Sequence, residues 1–294
     1  MVQPTVIELA SYKNHAMTSP LTTPGSWVTP LREYVRWLRG GDYPQTTEKL
    51  RCYHLKRFAT TTGLDPYEVT LDHLLDWLGR HDWSSSTRRS HRTTLRSFYG
   101  WAHAAGRITT NPAALLPKIS EPAGLPRPAP DSIIRDSLTH AGEREKLMIL
   151  LAATASLRSC EIAVVNMADI TGWREAHSLV VHGKGRKTRV VPISDSLAVS
   201  LRGRALRNPG GWVFEGQIDG HLSAKRVSEL ISEALPGGWT AHTLRHRFAS
   251  VAYRESRDIR AVQELLGHAS VATTQIYTAI DDRDRRSAAL ATAI

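Results

Sequence analysis

Apolar residues recur at helical spacing through the first third of the chain. Leu31, Tyr34, Val35 and Leu38 fall at i, i+3, i+4 and i+7. Leu71, Leu74, Leu75 and Leu78 repeat that spacing behind Thr70, whose hydroxyl suits a helix N-cap. Cys52, Leu55, Phe58 and Ala59 form a stripe between these two, and Leu95, Phe98, Tyr99 and Ala102 form another beyond them. Each stripe needs a partner to cover it, so residues 26–108 read as a small four-helix domain. Residues 1–25, rich in Thr, Ser and Pro and without sustained periodicity, read as a flexible lead-in.

Pro112, Pro117, Pro122, Pro126, Pro128 and Pro130 then crowd residues 109–130. Proline removes the backbone donor and clashes with the preceding turn, so this stretch predicts an extended linker and a domain boundary. Beyond it, Leu147–Ala153 is almost wholly apolar and made of good helix formers, which predicts a buried core helix. SLVVHGKGRKTRVVPI, residues 178–193, places two Val-rich runs around Gly183, Lys184 and Gly185, the pattern of a β-hairpin with Lys184 at its tip. Helical stripes return at Val227, Leu230, Ile231 and Ala234, at Leu244, Phe248, Val251 and Ala252, and at Ile259, Val262, Leu265 and Leu266 before Gly267. The expectation is a mainly α protein with a small antiparallel sheet, its second domain running over residues 131–294.

Composition adds a direction to this outline. The 294 residues hold 38 Lys and Arg against 28 Asp and Glu, a formal charge of +10 that attracts polyanions. Part of the excess is concentrated: Lys49, Arg51, Lys56 and Arg57 cluster on the second stripe's helix, and Arg88, Arg89, His91, Arg92 and Arg96 crowd the fourth. Either cluster alone is an ordinary solvated face; two in one small domain form a candidate phosphate-binding surface. No run approaches the roughly 20 apolar residues that span a bilayer, and the first residues lack a basic start followed by an apolar stretch, so a cytoplasmic protein is expected. Cys52 and Cys160 are too far apart for a paired thiolate site. Neither a Walker-type glycine loop nor an acidic two-metal cluster occurs, so neither cofactor nor metal is expected.

Candidate chemistry lies in five segments: ASLRSCEIA at 155–163, the hairpin lysine, AHTLRHRFAS at 241–250, LLGHAS at 265–270 and TTQIYTAI at 273–280. Breaking a phosphodiester without a metal requires a nucleophile, cations around the phosphorane as charge develops, and an acid for the departing oxygen. Tyr, Arg, Lys and His supply these parts. His242 and Arg245, three residues apart on a helix, share a face, where an imidazole exchanges protons while a guanidinium forks onto phosphate oxygens. His242 and His246 also have the i, i+4 spacing of a zinc-protease helix, but the required glutamate is replaced by Thr243 and no third ligand is evident. Taken singly, Arg158 with Glu161 reads equally as a surface ion pair, His268 as a helix cap and Tyr277 as a buried aromatic.

The ordered set nevertheless resembles the tyrosine recombinase, or phage integrase, family: an Arg turn, a hairpin Lys, a His-x-x-Arg helix, a Leu-Gly-His turn and a Tyr nine residues later. The likeness is strongest over residues 131–280, and the four-helix unit resembles the family's core-binding domain. It implies a helical core-binding domain and a mixed α/β catalytic domain closing on DNA as a clamp. It also implies that Arg158 and Arg245 hold the scissile phosphate, Lys184 protonates the leaving 5′ oxygen, His242 assists proton transfer with Tyr277, His268 hydrogen-bonds the phosphate, and Glu161 orients and electrostatically tunes its neighbours. Tyr277 would form a 3′-phosphotyrosine bond conserving the energy needed for rejoining. Lys187 rivals Lys184 but lies outside the Gly-Lys-Gly turn, and Tyr253 rivals Tyr277 but lies within the His242 helix. Cys160 departs from the small or polar residue expected between Arg158 and Glu161; a thiol beside cations has a route to a lowered pKa and to reactivity.

The same resemblance implies double-stranded DNA recombination sites as partners, a homo-oligomer that becomes a tetramer in the synaptic complex, and a directionality factor as a further partner. Residues after Tyr277, ending DDRDRRSAALATAI, read as a frayed helix or one that packs on a neighbouring protomer. A simple integrase lacking an arm-binding domain, acting in a bacterial host cell for phage or mobile-element integration and excision, fits the short lead-in. Xer-type chromosome dimer resolution, a transposon recombinase, a type IB topoisomerase and a noncatalytic architectural DNA-binding protein are the alternatives.

Overall fold

The computed structural model describes residues 22–120, 126–172, 176–183, 187–267 and 274. It is mainly helical with one small antiparallel sheet and divides into two compact units, residues 1–122 and 123–294.

In the first unit, α1 (Gly25–Gly40), α2 (Gln45–Thr62), α3 (Leu71–Arg80) and α4 (Ser85–Ala104) enclose one core. Thr70 caps α3 by accepting from His73 N, and Ser84 caps α4 by accepting from Thr87 N, so each start is set by a local oxygen that satisfies an otherwise orphaned amide. Gly63 ends α2 at φ +67°, a conformation that costs a side chain but not glycine. The buried faces differ in detail from the stripes. α1 buries Trp27, Leu31, Tyr34 and Leu38, with Val35 at the margin, and α3 buries Leu74, Trp77 and Leu78 while Leu75 is exposed. Large indoles explain the shift. Trp27 lies against Phe58 and Phe98, and Trp77 meets Phe58 edge-on, turning each helix toward its largest apolar surface.

The second unit begins with α5 (Asp131–His140) and α6 (Glu143–Thr154). α6 buries Leu147, Met148, Ile149, Leu151, Ala152 and Ala153, leaving almost no polar face across that run, and is the central helix of the unit's core. The short α7 (Ser159–Ala163) leads to β1 (Ile170–Thr171), β2 (Ser178–His182) and β3 (Thr188–Pro192), an antiparallel sheet in the order β1-β2-β3. β2 and β3 pair Leu179 with Val191 and Val181 with Arg189, so the buried side chains of Leu179, Val181 and Val191 share a face with Arg189. α8 (Asp195–Ala205), α9 (Ala224–Ala234), α10 (Ala241–Ser256) and α11 (Ile259–Leu266) complete the unit. Neither α5 nor α8 shows a four-point apolar stripe in the sequence. The segment before α5 is fastened to the start of α10: Ala129 N donates to the Thr243 carbonyl, and the Arg127 guanidinium lies 4.2 Å from the ring centre of Trp239, just ahead of that helix.

Candidate active site

The turn between α6 and α7 is where the candidate site is built. Ser156 adopts φ +60°, an uncommon conformation for a side-chain-bearing residue, and is fully buried. What holds it is Arg245 of α10, whose Nη1 donates to the Ser156 carbonyl and to Ser156 Oγ at 3.1 Å, while Nη2 donates to the carbonyl of Leu266 at the end of α11. Arg245 is itself buried, so one guanidinium joins the Ser156 turn, α10 and the end of α11. Two residues beyond Ser156, Arg158 caps α7, its amide donating to Glu161 Oε2 at 2.8 Å and its Nη1 to Oε1 at 2.8 Å. Arg158 keeps 39% of its side chain open to solvent against 1% for Glu161, so a cation faces outward from a buried carboxylate.

Glu161 has a second cation that sequence reasoning missed. Arg189 of β3 donates from Nη1 and Nη2 to its two carboxylate oxygens at 2.8 and 2.9 Å, and from Nε to the Leu265 carbonyl at 2.9 Å. Burial pushes the Glu161 carboxyl up, but hydrogen bonds from Arg189 and the Arg158 amide, with both positive charges, more than reverse this and hold it below its ordinary pKa. It stays charged at neutral pH. The available signal was strand alternation, because Arg189 falls two residues before Val191 on the inward face.

His242 is exposed near the start of α10, one turn before Arg245. Partial desolvation, then the charges of Arg245 and Arg158, lower its pKa, favouring the neutral ring that can accept a proton. Desolvation, then His242 and the charge of Arg245, push His246 down to about 4; the two rings meet edge-to-face at 4.2 Å. Among the described residues no group of three or more His, Cys, Asp or Glu is placed to hold a metal ion. Arg158, Glu161, His242 and Arg245 are thus brought to one side of the second unit. Lys184, His268 and Tyr277 lie outside the described residues. Of their rivals and neighbours, Lys187 is exposed, with its carbonyl accepting from Gly183 N at 2.7 Å, and Tyr253 packs with Ala249, Val262 and Leu266. Cys160 is an exposed free thiol. Gly267 closes α11 at φ +61° immediately before His268.

On the first unit, the expected basic surface is more varied than a row of free cations. Arg51 donates to Ser97 Oγ at 2.8 Å and lies 4.8 Å from the Tyr43 ring centre, and Arg57 lies 5.3 Å from that of Trp83. Arg88 donates to the His81 carbonyl at 3.3 Å. Arg92 donates to the Leu116 carbonyl at 2.8 Å, and Arg96 to those of Ala113 and Ala114 at 3.1 and 2.7 Å, so both fasten the segment after α4 to that helix. His91, counted with the basic face from sequence, is buried. Lys49 and Arg89 are exposed and Lys56 is half-buried. Arg51 and Arg89 line an open groove of about 380 Å³ between α2 and α4 with Thr47, Ser86, Ser90 and Thr93, adding hydroxyl donors of the kind that position phosphates.

The phage integrase family model matches residues 131–284. Tyrosine recombinase XerC of Xanthomonas campestris pv. campestris (strain B100) is 34% identical over 227 residues, 72% of this chain and 68% of that protein. XerC of Chromohalobacter salexigens is 31% identical over 85% of this chain and 91% of its own. Among solved structures, a lambda integrase dimer bound to a COC′ core site superposes with TM-score 0.68 at 20% identity, covering 87% of this chain and 77% of that one. XerH bound to a palindromic difH substrate, in a post-cleavage complex, gives 0.66 at 20% identity over 83% and 78%.

Proposed function

Since the chain belongs to the phage integrase family of tyrosine recombinases, enzymes that cut and rejoin DNA, we propose that it recombines specific DNA sites through a 3′-phosphotyrosine bond to Tyr277. The observation carrying this reading is the pairing of Arg245, locked onto Ser156 and Leu266, with the outward-facing Arg158 two residues from that turn. Two fixed guanidinium groups beside a histidine biased toward its neutral form suit a phosphorane that gains charge as it forms. Tyr277 Oη attacks phosphorus and the bond to the 5′ oxygen breaks. His242 assists removal of the tyrosine proton, Lys184 protonates the departing oxygen, and His268 hydrogen-bonds the phosphate. A 5′ hydroxyl from a second duplex then reverses the step, so no external energy source enters. Lys49, Arg51, Lys56, Arg57, Arg88, Arg89, Arg92 and Arg96 serve the DNA interface. Arg92 and Arg96 do so through the segment they fasten, and the groove between α2 and α4 supplies direct phosphate contacts.

No described helix is long and apolar enough to cross a membrane. The working place under this reading is the cytoplasm, on DNA, as a homotetramer on paired sites; a solved lambda integrase structure is a tetramer bound to a Holliday junction. Integration and excision of a mobile element is the setting expected from the sequence. The similarity to proteins named XerC favours Xer-type recombination as a second setting. Incubation with DNA from the native genetic neighbourhood, followed by sequencing of covalently attached ends, separates them: a pair of unlike sites supports integration, and one recurrent site recombining with its own copy supports the Xer-type role. R245A is expected to retain DNA binding within about threefold while adduct formation falls at least about 100-fold. An unchanged adduct rate would remove Arg245 from the phosphate clamp.

A further inference from the structure

We propose that Arg189 is a positioning residue for DNA cleavage, holding Glu161 so that Arg158 stays turned toward the scissile phosphate. The proposal rests on the recombinase reading above and adds to it a residue outside the ordered motif set. Three donors of one guanidinium are used: two on the carboxylate of Glu161 and one on the Leu265 carbonyl. Arg189 therefore ties the strand leading out of the Lys184 hairpin to α7 and to the last turn of α11. It also fills the space under Gly267, where an added Cβ would lie 3.2 Å from its Cδ and Nη1. Hairpin, arginine turn and the turn preceding His268 meet on this one side chain.

The geometry at Glu161 explains why the second cation matters. A carboxylate with two oxygens in a buried setting can engage a guanidinium through both, and a bidentate pair is the preferred arrangement. Arg189 occupies that arrangement, leaving Arg158 with one side-chain bond to Oε1 and the rest of its guanidinium toward solvent. Without Arg189, the unbalanced charge of Glu161 draws Arg158 into the bidentate position and away from DNA, while the Leu265 carbonyl loses its partner. Lysine has no planar fork and cannot satisfy both carboxylate oxygens and the Leu265 carbonyl in this way.

The test uses the full chain with DNA from its native genetic neighbourhood and compares wild type, R189M, R189K and R189M/E161Q for DNA affinity and for the rate of covalent complex formation. R189M is expected to bind DNA within about threefold of wild type and to form the adduct about 100-fold more slowly, the scale of a misplaced catalytic group. R189K is expected to lose about tenfold, and it carries the test should R189M not fold. R189M/E161Q is expected to react faster than R189M at equal folded fraction, set for each variant by urea titration, because removing the unpaired carboxylate releases Arg158; a rescue that only follows recovered folding stability is a scaffold effect and overturns the proposal. R189M or R189K reacting at the wild-type rate overturns the proposal, as does a double variant no faster than R189M. Absence of any adduct with wild type overturns the recombinase reading and this proposal together, an outcome distinct from a reactive wild type beside an unimpaired variant.

Discussion

In the second unit Glu161 is buried as a charged carboxylate between Arg158 and Arg189, whereas in the first unit His54 and His91 are buried as neutral rings. His91 is stacked between His54 at 3.9 Å and Trp83 at 4.0 Å, and Trp83 stacks in turn on His81 at 4.1 Å. The His54 ring hydrogen-bonds Thr94 Oγ1 at 2.9 Å. Desolvation, followed by the positive charge of Arg57, pushes His54 down to about 4; desolvation, with His54, Arg57 and His81, pushes His91 down to about 3. One unit keeps buried charge by pairing it, and the other packs titratable rings by suppressing theirs. The difference follows the work proposed for each: oriented cations are needed at a phosphate, while a helical platform needs only a stable core.

Breaking the paired charge has the largest expected effect. E161A leaves the half-buried Arg189 without its carboxylate, which costs about 3 kcal/mol and is read as a lower urea midpoint for the second unit. A smaller effect sharpens the comparison through pH. The folded-state pKa values of His54 and His91 lie below that of an unfolded histidine, so the unfolded chain takes up protons first and stability falls as pH drops from about 6.5 toward 4. The loss is on the order of 2 kcal/mol per ring at pH 5, and H91L is expected to remove about half of it in paired urea titrations at pH 7 and 5. Glu161 is shifted in the same sense from a lower starting value: its contribution is present above the unfolded carboxylate value, near 4.3, and is lost only as pH falls through its lower folded value. Acid therefore acts on the buried rings of the first unit before it touches the Glu161 cluster, and in the second unit His246, also pushed down to about 4, loses in the same sense. An H91L variant that loses as much stability as wild type between pH 7 and 5 would contradict the role given to the buried ring. The smallest expected effect is that of G267A, about 1–2 kcal/mol, from a side chain placed at φ +61° against Arg189.

The sequence made the outline of this site legible because phosphate chemistry leaves residue types in order. His242 and Arg245 could be picked out with no contact known, since their spacing has a chemical reason, and Arg158 and Glu161 through their place in an ordered set that resembles the family. Arg189 could not, because its partner Glu161 is 28 residues away and only the strand register turns it inward. His91 and Arg92 were misleading in the other direction. Adjacent on a basic helix, they read as surface groups, but His91 is covered by Trp83 from outside the helix and Arg92 reaches the Leu116 carbonyl. Helix stripes foretold the main elements, yet Trp27 and Trp77 reset which face of α1 and α3 is buried, because the area of an indole outweighs that of Val35 or Leu75. The helices α5 and α8 lacked the four-point stripe: α8 buries Leu197, Ala198, Leu201 and Ala205, a mixed Leu and Ala set that the strict spacing passes over.

Recombination by this chain requires a protein–DNA bond at one oxygen, Tyr277 Oη. Covalent complexes formed on native-neighbourhood DNA, digested and mapped by mass spectrometry, are expected to carry the nucleotide on the Tyr277 peptide, and Y277F is expected to bind DNA but yield no adduct. A nucleotide on Tyr253 or any other residue, or an adduct that survives in Y277F, would contradict the account.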